Sequence, residues 1–206
     1  MTRASNYQTQ AGRLRLMAKL ELAQHGANLL HSKEEALQRE RVRLQGHAER
    51  THQRWEQTCH DAATSLLRAR ALGATTELVS ILTAGPDPAT VRAHWQTSMG
   101  VTYPGDMECT PSPKPVVMST AALRPTIDAY HLALVAAADH GSTTTALRRL
   151  NTELSNTRRR RRAVEQRLVP NLEATIHDLD LHLDEQDRDE ALRVHIATKK
   201  LGMSRS

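Results

Sequence analysis

The last third of the chain, residues 156–200, limits what the whole can fold into: NTRRRRRAVEQRLVPNLEATIHDLDLHLDEQDRDEALRVHIATKK. Its apolar residues form one narrow seam: Val164, Leu168, Leu172, Ile176, Leu179, Leu183, Val194, Ala197 and Leu201. The steps between them are mostly threes and fours, the spacing of one helix face rather than of a strand. Around the seam stand Arg, Lys, Asp, Glu, Gln and His. A helix of this kind has too little apolar surface to sit inside a globular core. It needs a single partner along its length.

The other end of the chain supplies that partner. From about Ala11 to about Leu72 a helical pattern runs without proline, its seam read as Leu14, Met17, Leu20, Ala23, Leu30, Leu37, Leu44, Ala48, Trp55, Cys59, Ala62 and Leu66. Sixty helical residues would span roughly 90 Å, and a periodic pattern of that length reads as a coiled coil. Composition agrees. The chain has no Phe, two Trp and three Tyr among 206 residues, and aromatics supply much of the area that a compact core buries. Thin Leu/Ala-lined helix contacts suit it better. The basic opening residues, which lack an acid until Glu21, mimic a transit peptide. The same periodicity continues past Glu21, so they read as the start of the helix.

Residues 73–118 differ. Pro86, Pro88, Pro104, Pro111, Pro113 and Pro115 fall here with Gly85, Gly100 and Gly105, so this is a compact, turn-rich insert. Thr75–Leu82 and Val91–Thr97 read as short helical turns, and Val101–Tyr103 and Val116–Met118 as short strands flanking a hairpin-like excursion. A second helix is expected from an N-cap at Ser119 or Thr120. A kink or break is expected at Gly141–Thr145, and a kink or a lost hydrogen bond at Pro170.

The expected architecture is therefore all-α in the main: a long antiparallel two-helix coiled coil made from residues 1–72 and 119–206, with the insert 73–118 holding a short β-hairpin. The pairing is expected to set Leu14 near the 190s and Trp55 near the 150s.

Catalytic chemistry is not visible. No Gly-x-x-x-x-Gly-Lys-Ser/Thr and no His-Glu-x-x-His occurs, and the two cysteines, Cys59 and Cys109, form no Cys-x-x-Cys. They are too few for a disulfide framework, so a reduced compartment is the default. His177, Asp178, Asp180, His182 and Asp184 are the nearest approach to a metal cluster, but His182 lies five residues from His177 and off its face. A solvated helix surface explains them better than a ligand set. His140 with Ser142–Thr145 reads as a helix break or cap rather than as a base with its nucleophile. No catalytic, cofactor-binding or metal-binding residue is assigned. No run of about 18 apolar residues exists, so no membrane span is expected.

The basic run Arg158–Arg162 has two readings. One is a nucleic-acid patch. The other, preferred, is a solvated helix face that also meets acidic partner surfaces, because a block of acids follows between Glu173 and Glu190 and would repel phosphate. The net charge of +5 is also modest for a chain that coats nucleic acid. Arg41 and Arg161 fall near the two seams and are expected to pack their stems while the guanidinium groups point outward. Trp55 is read as an anchor of the helix pair.

Two stretches carry a resemblance. The first is Leu20, Ala23, Gly26, Leu29-Leu30, Lys33 and Leu37. The second is Thr157 with the arginines after it, Ala163-Val164-Glu165, Val169-Pro170, Thr175-Ile176, Leu183-Asp184-Glu185, Arg188-Asp189-Glu190 and Arg193. In order and spacing they resemble the D subunit, the central shaft of the V-type and A-type rotary ATPases. The proline within a long coiled-coil helix is distinctive, because backbone physics discourages it. Departures fall at Arg161-Arg162, His31 and Lys33-Glu34-Glu35. The resemblance implies a non-catalytic rotor subunit without a cofactor, peripheral to a membrane in the cytoplasm. Its implied partners are the A and B subunits of the catalytic ring, the small F subunit and a membrane-ring adaptor. On that reading Arg13, Arg15, Lys19, Arg193, Lys199 and Lys200 form the tip inside the ring, and Arg41, Arg158, Arg161 and Arg162 border the F subunit. The rival reading is a free-standing coiled-coil binding module, nucleic-acid associated through Arg158–Arg162.

Overall fold

A computed structural model describes residues 9–83, 85, 88–110, 121 and 123–203. The elements in order are α1 (Gln10–Ala71), α2 (Thr75–Thr83), β1 (Thr90–Ser98), β2 (Val101–Thr110), α3 (Leu123–Ala163), a π-helical turn (Val164–Leu168) and α4 (Val169–Met203). The chain is mainly helical, with long helices and one two-stranded antiparallel sheet. The expected strand at Val116–Met118 and the cap at Ser119 or Thr120 lie outside the described residues.

By contacts the chain divides into two compact units. The first joins α1 up to Glu34 to the chain from Asn156 onward, and the second is Glu35–Ser155. In the first, Leu16 of α1 is buried against Leu179 and Leu183, with Leu172 and Ile176 packed beside them. In the second, Leu37 and Leu44 of α1 meet Ala146, Leu150 and Leu154 of α3, and Val101 and Tyr103 of β2 complete the cluster. Within each unit the contacts climb along α1 as they descend along the partner helix, so the pairing is antiparallel.

The register differs from the expected one. Arg13 pairs with Asp180, not with the 190s, and Trp55 stacks on His140, not on the 150s. The pairing in the second unit is set where its helices meet, at Ala69 and Leu123. Counting equal residues outward from that point gives the observed partners, whereas counting inward from the chain ends does not.

The α1 seam keeps strict steps of seven. In the first unit Leu16, Ala23 and Leu30, and Leu20, Ala27 and Glu34, are buried or half-buried. In the second, Leu37, Leu44, Thr51, Thr58 and Ser65 form one row, and Arg41, Ala48, Trp55, Ala62 and Ala69 the other. This is the heptad of paired helices. Several expected seam residues are therefore outside it: Leu14 (66% exposed), Met17 and Cys59 on α1, and Leu168, Val194 and Ala197 on the partner side. Threonine, serine, glutamate and arginine occupy places the hydrophobic reading gave to nearby apolar residues.

A glycine ends α1. Gly73 takes a positive φ of 87°, its N–H donates to Arg70 O, and the N–H of Ala74 donates to Ala69 O. This is a Schellman motif, which caps the last carbonyls of a helix. Ala69 and Ala74 then bury against Leu123, with Leu78 and Ile81 of α2 over them.

Thr90–Ser98 is a strand rather than the expected helical turn. Val91, Trp95 and Thr97 suit a pleated surface, and a two-residue loop, with Met99 and Gly100 both at positive φ, returns the chain antiparallel from Ser98 to Val101. A bulge breaks the register between Ala93 and Trp95. There Pro104 sits in β2, the kind of position where a strand tolerates proline.

The expected break at Gly141–Thr145 is absent, because α3 runs through it. Thr143, Thr144 and Thr145 return their hydroxyl protons to Asp139 O, His140 O and Gly141 O, one helical turn back. Near Pro170 the ladder widens instead of snapping: the N–H of Val169 donates to Val164 O, five residues back. A π-turn beside a proline gives the ladder a way round the missing N–H.

Candidate functional site

The conspicuous charged feature of the first unit is a cluster within its helix pair. Glu34 is on the α1 seam. Its carboxylate accepts from Arg158 Nε at 2.7 Å and from Arg161 Nε at 3.0 Å. Arg161 reaches Glu165 as well, at 2.8 Å. The Arg158 hydrogen bond, with Arg161 behind it, holds the Glu34 carboxyl below its usual range against the opposing effect of burial. Arg161 does not point its guanidinium outward as expected: Glu34 holds it across the pair and Glu165, one turn on, holds it along its own helix. Two of the five arginines are therefore engaged within the unit, which weakens the nucleic-acid reading. Arg159, Arg160 and Arg162 are exposed. Arg41 belongs to the second unit and is half-buried, with Nε buried and unpartnered among the described residues.

The residues assigned to a tip are spread over both partners of the first unit. Arg13 donates to Asp180 at 2.6 Å, and this bond raises its proton affinity. Asp180 is thus paired with a guanidinium. Arg15, Lys19 and Arg193 are exposed, and Lys199 and Lys200 stand near the end of α4. Among the described residues no three His, Cys, Asp or Glu side chains converge where they could hold a metal ion.

In the second unit, polar contacts fasten the hairpin to both helices. Arg43 grips Glu40 with two hydrogen bonds of 2.9 and 2.7 Å, and the hydroxyl of Tyr103 donates to the same carboxylate at 3.0 Å. The Arg43 bonds, aided by Tyr103, hold Glu40 below the usual carboxylate range, while burial and Glu40 together push the Tyr103 phenol up. From α3, Ser142 donates to Gly105 O at 2.7 Å and Arg149 to Thr102 O at 2.9 Å. Arg149 also lies over the Trp95 ring, 4.9 Å from its centre, a cation–π contact. Gly105 sits so close to the Gln96 side chain that a Cβ would collide with it.

Beside this junction is a groove of about 300 Å³, bordered by Arg43, His47, Arg54, Asp106, Asp139 and Ser142. It mixes both signs of charge. Sequence reasoning missed Glu34, Glu40, Tyr103, Ser142 and Arg149. Only Glu40 with Arg43, at i and i+3 on one helix, carried a local signal.

Comparison with known proteins agrees with this geometry. The family model that describes the D subunit of ATP synthase matches residues 13–199. Proteins named as the D subunit of V-type ATP synthase, from two strains of Thermus thermophilus, are each 28% identical to the chain over 196 residues, covering 90% of it and 84% of their own length. Among the described residues no helix is long and apolar enough to cross a membrane. With a match that takes in both long helices and the insert between them, the chain belongs to the family of the ATP synthase D subunit.

Proposed function

We propose that this chain is the non-catalytic central shaft of a V-type rotary ATPase, coupling ATP hydrolysis or synthesis in the A/B ring to ion translocation across a membrane. The observation that carries the proposal is the family match over residues 13–199. It is supported by antiparallel helix pairs whose seams are locked at intervals by polar contacts. A shaft must resist shear between its helices. A heptad seam resists it through knobs seated in holes, and a charge pair within the seam makes slippage costly. A two-helix element turning inside a threefold ring meets its three interfaces differently, and so biases each toward a different conformation.

Under this proposal Arg15, Lys19, Arg193, Lys199 and Lys200 form the tip that runs in the ring, with Arg13 holding its two helices together. Arg159, Arg160 and Arg162 border the F subunit better than Arg158 and Arg161 do. The insert 73–118 works toward the adaptor on the membrane ring. The test is reconstitution with the A, B and F subunits. The chain should co-assemble with the F subunit and the ring, and trimming beyond Val194 should reduce torque while leaving the contact with the F subunit. A trimmed chain with unchanged torque would reject the tip, and failure of the full chain to enter any A/B/F complex would reject the shaft.

A further inference from the structure

The helix that faces α1 in the first unit carries one residue more than its seam can use. Its inward row is Thr157, Arg161 and Val164 before the π-helical turn, and Val169, Leu172, Ile176, Leu179 and Leu183 after it. Arg158 and Asp180 reach their ion-pair partners from the flank of this row. Its steps alternate fours and threes, as paired helices require, except at one place. From Val164 to Val169 the step is five, and that step spans the turn Val164–Leu168. α1 shows no matching interruption: Leu16, Leu20, Ala23, Ala27, Leu30 and Glu34 alternate fours and threes throughout.

The side chains show what the turn prevents. In an unbroken α-helix each residue turns the chain by about 100°. The row after Val164 would then be Leu168, Asn171, Thr175, Asp178 and His182, of which only the first is apolar. Leu168 is in fact 47% exposed. The observed row is apolar throughout, and its Leu172, Ile176, Leu179 and Leu183 are the residues gathered around Leu16. A π-turn closes its hydrogen-bonded ring over one residue more than an α-turn. The Val169 N–H does so by donating to Val164 O, and one residue is thereby taken out of the count.

Pro170 follows at once, as the second residue of α4. Its missing N–H accounts for a local detour in the ladder. It does not account for an inward row that moves on by one residue and stays there as far as Leu183. We propose that the turn at Val164–Leu168 is a phase-correcting joint, which absorbs one surplus residue so that the leucines after Pro170 remain seated on α1. The surplus residue demands the turn, and the proline is tolerated where the ladder is already widened. This inference concerns how the first unit is built and stands apart from the rotor proposal.

Three variants of the full chain test it, by crystal structure and by hydrogen exchange at the amides around Leu16 and Leu179. In Pro170→Ala the Val169 N–H should still donate to Val164 O. Deletion of Gln166 in the Pro170→Ala background should give one continuous α-helix, with Leu179 and Leu183 still against Leu16 and protection no lower than in Pro170→Ala. Deletion of Asn28, an exposed residue of α1 where there is no surplus, should lower that protection at least about tenfold, since buried leucines lose their partners. Straightening of the turn in Pro170→Ala alone would assign it to the proline and overturn the joint. So would a π-turn that survives the Gln166 deletion, a Gln166 deletion that unseats the leucines or fails to fold where Pro170→Ala folds, or an Asn28 deletion that leaves protection unchanged.

Discussion

The two units use one kind of helix pair and stabilise it differently. In the first, a thin leucine contact around Leu16, Leu179 and Leu183 is supplemented by Arg13 on Asp180 and by two arginines on Glu34. In the second, a third element joins the pair: β2 inserts Val101 and Tyr103 among leucines of both helices. The difference lies in how much apolar surface a two-helix contact can hide. Helices alone cover one stripe of each other. A hairpin laid across them closes a side and lets Leu37, Leu150 and Leu154 lose nearly all contact with water.

The strongest way to break this comparison is to remove a leucine from each unit. Leu150→Ala should destabilise the second unit by about 3 kcal/mol, within the range for fully buried leucines that leave a cavity. Leu16→Ala should cost less, about 2 kcal/mol, because the thinner contact around it can relax. Chemical denaturation followed at the far-UV helix signal, together with hydrogen exchange in each unit, would measure both. Equal losses would show that the hairpin adds no burial of consequence.

The hairpin junction comes next in size. Tyr103→Phe keeps the ring but removes the donor to Glu40, and should cost about 1 kcal/mol, the net worth of a typical hydrogen bond. Tyr103→Ala removes the ring as well and should cost about 3 kcal/mol or more. Thermal unfolding with Trp95 fluorescence as the local signal would separate the two. A phenylalanine as damaging as alanine would make the hydrogen bond, not the packing, the main fastening.

How much of this was legible beforehand follows from particular residues. The helices, their antiparallel order and the insert could be read, because proline-free periodicity and a cluster of proline and glycine are local signals. The place of the seam was legible only in part. Leu14 and Met17 are more apolar than Thr51 and Ser65, yet the latter lie in the steps of seven and the former do not. Burial there follows geometry rather than side-chain character. The register was misread because it is set at Ala69 and Leu123, where the helices meet, and neither residue is distinctive. The charged locks were least legible. Nothing local tells Glu34 from Glu35, and its two arginines are more than a hundred residues away. The continuous helix at Gly141–Thr145 was missed because threonine side chains can return their hydroxyl hydrogens to the helix itself.

Acid should affect the two units through different carboxylates. Glu40 is held below the usual carboxylate range by Arg43 and Tyr103. A depressed carboxyl contributes stability that is complete above its unfolded value, near 4.5, and is lost as pH falls through its lower folded value. Between about pH 5 and 8 the hairpin signal should therefore stay level, and it should weaken only in stronger acid. Glu40→Gln should weaken the junction at pH values above this acid step, where the carboxylate is ionised, and remove the step itself. Near-UV circular dichroism of Trp95 and Tyr103 would follow it. A step at neutral pH in Glu40→Gln would assign the transition to another group.

The smallest effect expected is at Arg13. Both partners of its ion pair are more than a third exposed, with side-chain exposures of 36% and 38%. Exposed pairs of this kind gain little, because water and salt screen them. Arg13→Ala should therefore leave the melting temperature nearly unchanged, and added salt should not widen the gap from wild type. Arg161→Ala, in the same unit, should be more damaging, because Glu34 is only 14% exposed and would lose one of its two cations. Each variant deletes one arginine from a carboxylate across the helix pair, and Arg161→Ala removes a contact to Glu165 as well. If Arg13→Ala proved the more harmful, the first unit would be held at its outer end rather than at Glu34, and the division of labour between its leucines and its charges would have to be reversed.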